Sequence, residues 1–572
     1  MYNDIAYSSW RTYVEEQCTN VTFVWENNRN STQNLIYQAK HGDMADLVSI
    51  RRYESDSAAQ LAPYLMDLSD NPLTNTFKTN ALKSFTFNNK LCWYPAPGMM
   101  ETLMANTTLF AKYGIAIPKT IKELETVCKK FYALGIDPLA SDAGTGFRAT
   151  YLMEGYNYAR YFESGKGKKI IDQLLEGKDA TLDNDGGTLI ASLLRGFKDN
   201  HVIDVKDVAN SEISNANAAF DAGNAAIFTT GSDLKYYGKD GNVYQAIPCL
   251  GDNESEQRLY TYPIFNMAVS KEAGNDTKKV AAINRILKVM YSSKAQQILA
   301  EDADALISYN KQVSLPLGSN YQSLEKLIKN NQYFIRFLNR NTFNAALSGL
   351  KAVINDGVDN KNFIKLFNEN IQADLDKHVI GSSDINAGNQ MGEDYPLVRN
   401  AASTIAQCVE KVSKADAVLI DAKAAAAPIY QGDYTQSDLD AIVADNPIYE
   451  ANINGNQLQQ LFDDAILATT TYKYHTLEPL IDYPAIAGIT AYLYTDGNKN
   501  ALVSNKNKKL NPQKNYHVVI CDTVKKALEY LHNRDVNNFK LMNITLSSCV
   551  KTQLSKNVLP QPVKYFVVKE AK

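Results

Sequence analysis

The chain has 572 residues, 45% of them hydrophobic and 21% charged, with a formal net charge of −4. That length implies three or four folding units of about 150 residues each, and that balance is the one of a globular chain. No run of about 18 apolar residues is present to cross a membrane as a helix, and no clustered basic stripe is present to grip phosphates, so nucleic acid is excluded as the main partner; the basic run Lys506 to Lys509 reads as a solvated turn.

In chain order, DIAYSSWRTYVEEQ has the spacing of an amphipathic helix and NVTFVWE the composition of a strand. TQNLIYQAKHG comes next as a helix and DLVSI as a short apolar strand. Such alternation predicts α/β units on a mostly parallel sheet. TIKELETVCKKFYALG is a helix closed by Gly135, and DPLAS leads into the next strand. KKVAAINRILKVMYSSKAQQILAE reads as one long helical stretch and NFIKLFNENIQADLDKH as another helix. VIGSSDINAGNQMGEDYPL, after His378, is polar and aperiodic and marks a boundary. Beyond it the pattern predicts a helix from about Leu397 to Ser413, the strand DAVLID, the helices TQSDLDAIV and GNQLQQLFDDAIL, the strand HVVICD and the helix TVKKALEYLHN. AKAAAAP is a turn or a frayed helix end.

The seven cysteines, Cys18, Cys92, Cys128, Cys249, Cys408, Cys521 and Cys549, form no CxxC pair, which speaks against zinc knuckles and thioredoxin-like chemistry. They read as free buried thiols. The 34 tyrosines against 3 tryptophans suit carbohydrate contacts, because tyrosine joins a flat apolar face to a hydroxyl, but tyrosine also fills ordinary cores. No GxSxG elbow, Walker loop or HExxH helix occurs. The acid pairs Glu15-Glu16, Glu393-Asp394 and Asp463-Asp464 read as solvated surface.

GDMADLVSI, FNNKLCWYPAP, ANTTLFAKYGIAIPKTIKELE, NAAFDAGNAAIFTTGSD and MAVSKEAGNDTKKVAAINRILKVMYSSKAQQILAE occur in this order over about 380 residues. Together they resemble the extracellular solute-binding proteins of family 1, which include maltose-binding protein. The resemblance implies an α/β fold of the periplasmic-binding-protein type II: two lobes, a hinge crossed more than once and a ligand in the cleft. Residues 1–378 would form this domain, with one lobe over about 1–105 and 265–310 and the other over about 106–264 and 311–378. It implies a sugar or oligosaccharide ligand, the permease subunits of an ABC importer as partners, an extracytoplasmic location, no cofactor and no metal. Lobe closure would do the work without chemistry, so no enzyme is expected. The rival functions are a surface protein that captures glycans and, further off, a nucleotide-hydrolysing enzyme.

Sugar binding calls for aromatic faces and polar groups on strand-end loops. The matched candidates are Trp25, Arg51, Arg52, Tyr53, Met99 with Met100, Phe147, Arg148, Ser232, Asp233, Tyr262 and Phe343. Asp233 stands where the family often has tryptophan, and Met99 near an acid or polar residue, which argues against a maltodextrin ligand. Arg51-Arg52 suggests an acidic sugar or an exposed basic loop. The family also begins with a strand ahead of the first helix. A signal peptide, a linker and that strand, with a lipid-anchoring cysteine as an option, are therefore expected upstream of Met1.

Residues 379–572 resemble the C-terminal domain of 5'-nucleotidases. Asp416 to Ile420 match its strand, and Pro428, Ile429, Gly432, Thr435, Asp438, Gly455 and Leu458 match the family pattern beyond that strand. The functional residues are absent: Asp421-Ala422-Lys423-Ala424-Ala425-Ala426 replaces Asn-Gly-Gly-Gly-Ile-Arg, and Val443-Ala444 replaces the Pro-Phe pair. None of the six histidines (His41, His201, His378, His475, His517, His532) lies in a two-metal phosphoesterase motif. The resemblance implies a degenerate module that hydrolyses nothing.

Overall fold

The computed structural model describes residues 7–25, 32–50, 55–176, 178, 180–232, 243–337, 341–371, 378–388, 399–443, 445–472, 479–494, 501–504 and 509–569. The chain divides into two compact units. The larger holds Ala6–Val24 and Met44–Asp374; the smaller is built mainly from Trp25–Asp43 and Leu375–Lys572.

Two sheets organise the larger unit. In the first, Leu47–Ile50 and Tyr94–Pro95 flank Asn266–Val269, both antiparallel to it. In the second, Gly98–Asn106 pairs antiparallel with Ala225–Gly231, Tyr244–Ile247 and Leu259–Pro263. Asp137–Ala140 and Tyr333–Ile335 add parallel edges. All nine residues of Gly98–Asn106 are buried, as a strand covered on both faces must be. The chain therefore passes between the sheets three times, at Ala96-Pro97, at Ile264-Phe265 and again between Val269 and Tyr333. The first crossing comes earlier than the expected residue 105, so residues 98–105 belong to the second sheet. Gly98 sits where Tyr309 approaches so closely that a Cβ would collide with its phenol. The Tyr309 hydroxyl donates to Thr261 Oγ1 at 3.0 Å, tying a third segment to the crossing.

Local sequence accounts for the helices around these sheets. Ile121–Ala133 starts at Thr120, whose side chain accepts from the Glu123 N–H, and buries Ile121, Leu124, Val127, Cys128 and Phe131 at helical spacing. It ends before Gly135, whose φ of 73° suits the left-handed turn. The long stretch after Lys278 is two helices, Thr277–Met290 and Ser293–Asp302. Ser292 starts the second by accepting from the Ala295 N–H. Residues 21–25, expected as a strand, join no sheet. Their β-branched and aromatic residues carry propensity, but no neighbouring strand edge pairs with them.

The smaller unit has a five-stranded sheet in the order Pro484–Ala487, Ala417–Asp421, Asn515–Cys521, Pro447–Asn454, Lys540–Thr545. Helices Asn400–Ser413, Gly455–Ala468, Asp522–Tyr530 and Leu546–Leu554 pack with it in one hydrophobic core. Gly455–Ala468 opens on a capping box of Asn454 and Gln457. Helix Thr32–Lys40 also belongs here. Tyr37 is buried in this core with its hydroxyl 2.5 Å from that of Tyr434, and Asn34 Nδ2 donates to the Ala426 carbonyl at 3.2 Å. Lys40 pairs with Asp438 at 3.3 Å, and the Tyr430 hydroxyl donates to the Asp43 carboxylate. A cut at 378/379 thus separates a helix from its core, a correction to the expected boundary. All seven cysteines are buried and free.

Candidate functional site

Three of the expected contact residues are brought together. Phe147 lies in the short helix Gly146–Thr150, Tyr262 near the end of strand Leu259–Pro263 and Phe343 in the first turn of helix Thr342–Ile354. The Phe147 and Tyr262 rings meet edge to face at 5.9 Å, and Phe147 and Phe343 lie 6.2 Å apart. All three remain partly exposed. Sequence explains the approach. A Cβ on Gly146 would stand 2.8 Å from the Phe343 carbonyl oxygen, so only glycine lets the two helix starts come this close. Thr145 then caps the short helix through the Arg148 N–H.

Arg336 completes the group, and the sequence reading missed it. Strand Tyr333–Ile335 runs parallel to Leu259–Pro263, and the Arg336 N–H continues that register by donating to the Thr261 carbonyl at 2.9 Å. This sets Arg336 beside Tyr262. Its Cζ lies 4.5 Å from the Tyr262 ring centre, 5.3 Å from that of Phe147 and 6.0 Å from that of Phe343. Those distances are in the cation–π range.

Beside this aromatic group lies a closed ion-pair network. Arg148 is 2% exposed. Its Nη1 donates to Glu101 Oε2, and its Nε to Asp142 Oδ1 at 2.9 Å. The Tyr262 hydroxyl donates to Glu101 Oε1 at 2.9 Å, which fixes the ring. Burial works to discharge Arg148, but the Glu101 and Asp142 carboxylates overcome it and hold the guanidinium charged. Glu154, on the π-helical turn Tyr151–Gly155, behaves in the opposite way. Burial raises its carboxyl well above the usual range, against the pull of Arg336, and its Oε2 has no hydrogen-bond partner. It faces a largely apolar cavity lined by Met153, Phe162, Ile170, Leu174 and Phe337.

The other expected contacts fare differently. Arg148 is held by its two carboxylates, Glu101 and Asp142. Met99 is 3% exposed and stands opposite Tyr262 in the sheet, and Met100 is fully buried. Both are packing residues. Ser232 is also buried, its Oγ accepting from the Met100 N–H at 3.1 Å and its own N–H bonded to the Met100 carbonyl. Trp25 is 37% exposed and falls in the smaller unit, outside the group built by the larger. Arg51, Arg52, Tyr53 and Asp233 lie outside the described residues. Among the described residues no cluster of three or more His, Cys, Asp or Glu side chains suits a metal.

In the smaller unit the turn after strand Ala417–Asp421 is the 3-10 turn Ala422–Ala424. Ala422, Ala424, Ala425 and Ala427 are buried in the core. Asp421 accepts from the N–H groups of Lys423 and Asp482, and burial pushes its carboxyl up to about 6. Ala426 offers only backbone: its N–H goes to the Ile442 carbonyl and its carbonyl to Asn34.

Comparison with known proteins places the larger unit. The model of the family described as bacterial extracellular solute-binding protein matches residues 12–329. Among solved structures, a family 1 extracellular solute-binding protein from Bifidobacterium longum subsp. infantis is 15% identical, with a TM-score of 0.57 over 64% of this chain and 96% of that one. The apo form of RafE from Streptococcus pneumoniae is 14% identical, with a TM-score of 0.52 over 64% and 95%. The binding protein msme from Bacillus subtilis, in an open conformation, is 13% identical, with a TM-score of 0.52 over 65% and 94%. At these identities the likeness concerns the fold, a mixed α/β two-lobe architecture. Comparison with curated proteins gave no match. Among the described residues no helix is long and apolar enough to cross a membrane. With its two sheets joined by three passages of the chain, and with more than half its length matched, the chain belongs to the family of bacterial extracellular solute-binding proteins.

Proposed function

We propose that the larger unit binds a carbohydrate at the recess rimmed by Phe147, Tyr262 and Phe343 and delivers it to the permease subunits of an ABC importer, without altering it. The observation that carries this reading is the group of three partly exposed rings converging beside the sheet crossings. Aromatic faces suit the C–H patches of a sugar ring, and nearby polar groups suit its hydroxyls. The Arg148 network supports the rim by anchoring Tyr262. A calorimetric screen of mono- and oligosaccharides tests the reading. Phe147→Ala should weaken binding of the best ligand by about 1–3 kcal/mol. Small-angle scattering should show a smaller radius of gyration at saturation. Native affinity in the variant would remove Phe147 from the site.

For the smaller unit we propose a relative of the 5'-nucleotidase C-terminal domain that hydrolyses nothing. The buried alanines after Asp421 support this, since they present no side-chain donor to a substrate. Purified protein with manganese or zinc should release no phosphate from AMP or UDP-glucose. Release that a chelator abolishes would overturn the proposal.

A further inference from the structure

We infer that the ligand carries a carboxylate, as a uronic acid or another acidic sugar does, and that Arg336 is the residue that receives it. The inference rests on the carbohydrate reading above and narrows it to a substrate class.

Arg336 is 7% exposed, yet its side chain makes no hydrogen bond and no ion pair with any described residue. A guanidinium has five N–H donors in a planar fork. Aromatic faces lower the energy of the cation but satisfy none of those donors. A buried charge without a counter-ion is costly, and proteins keep one where a ligand supplies the missing partner. The contrast within the same unit is direct. Arg148 is as deeply buried and has two carboxylates, Glu101 and Asp142. Arg336 has three rings instead.

Glu154 feels the charge of Arg336, but no ion pair forms between them among the described residues. Glu154 is buried beside an apolar cavity with one carboxyl oxygen unpartnered, an environment that favours its neutral acid. It therefore leaves the charge of Arg336 uncompensated. The three rings are partly exposed while the cation they surround is nearly buried. The rings beside the guanidinium satisfy none of its N–H donors, and two of those donors match a planar carboxylate in the two-bond arrangement. One uncompensated cation calls for one negative charge. A phosphate or sulfate dianion would bring a second charge toward Glu101 and Asp142 with no further free cation among the described residues of this site.

The test uses the intact chain and a matched panel: galacturonate and glucuronate, as monomers and oligomers, each beside its methyl ester and its neutral parent sugar. Calorimetry should show the free acid binding about 10–100-fold tighter than the ester or the neutral sugar. Arg336→Gln should erase that ratio while a thermal melt shows the variant folded, and Arg336→Lys should restore it in part. A neutral sugar or ester bound as tightly as the acid by the unaltered protein would overturn this inference and leave the carbohydrate reading standing. An acid preference that survives Arg336→Gln would remove Arg336 from the role. No binding by any saccharide, acidic or neutral, would overturn both.

Discussion

The two units handle buried charge in opposite ways. The larger buries Glu101, Asp142, Arg148, Glu154 and Arg336 around one aromatic group. Three of the five satisfy one another, and the other two stay apart. The smaller has the strand Ala417–Asp421 leading into a comparable loop, but fills the loop with alanines and keeps a single buried acid there, Asp421, held by two backbone N–H groups. Desolvating a charge is expensive, so a fold retains it where recognition needs it. The alanines of the loop in the smaller unit pack as core.

The largest test of this contrast removes one anion from each unit. Glu101→Gln leaves the buried Arg148 short of one counter-charge and should destabilise the larger unit by about 3–5 kcal/mol in chemical denaturation. Asp421→Asn keeps the backbone acceptor and should cost the smaller unit at most about 1 kcal/mol. Equal losses would break the comparison.

A pH series sharpens it at intermediate scale. Burial pushes Asp207 in the larger unit up to about 7 and Asp421 in the smaller up to about 6. Both lie above the ordinary aspartate value of about 3.9. Between about pH 4 and 7 the folded chain thus binds more protons than the unfolded one, so unfolding free energy falls as pH rises and levels off above the folded values. The larger unit should lose on the order of 1–3 kcal/mol up to about pH 7, and the smaller should level off near pH 6. Asp207→Asn should remove its share of that slope; an unchanged slope would exclude Asp207 as a source.

The smallest effect concerns membership of the N-terminal helix. Tyr37→Phe deletes the hydrogen bond to Tyr434 and should cost the smaller unit about 1 kcal/mol, and adding Tyr434→Phe should cost less than a second independent loss. A melt shifted only in the larger unit would contradict the assignment.

Elements with strong periodicity were legible. Helix Ile121–Ala133 and strand Ala417–Asp421 emerge from stripe, cap and apolar run alone. NVTFVWE was not, because strand composition forms a strand only where an edge accepts it. The rim Phe147, Tyr262 and Phe343 came from matching segments to a family, whereas Arg336 comes after the short apolar run Tyr333-Phe334-Ile335 with no motif around it. A charge placed directly after a buried strand was the available signal. The pairing of Arg148 was not legible for a related reason: its partner Glu101 lies 47 residues away and becomes visible only when strand and helix meet.

Helix Thr32–Lys40 is made early and finished late. Tyr37 and Tyr434 are 397 positions apart, and ribosomes add about 5–20 residues per second. The helix therefore waits about 20–80 s for the residues that cover Leu35, Ile36 and Tyr37. During that wait the intervening larger unit has time to fold, while an apolar helix face stays open to water and to chaperones. Slowing translation, or stopping it short of the C-terminal strands, should therefore raise aggregation through this face, and replacing its apolar residues should reduce it at the expense of the smaller unit.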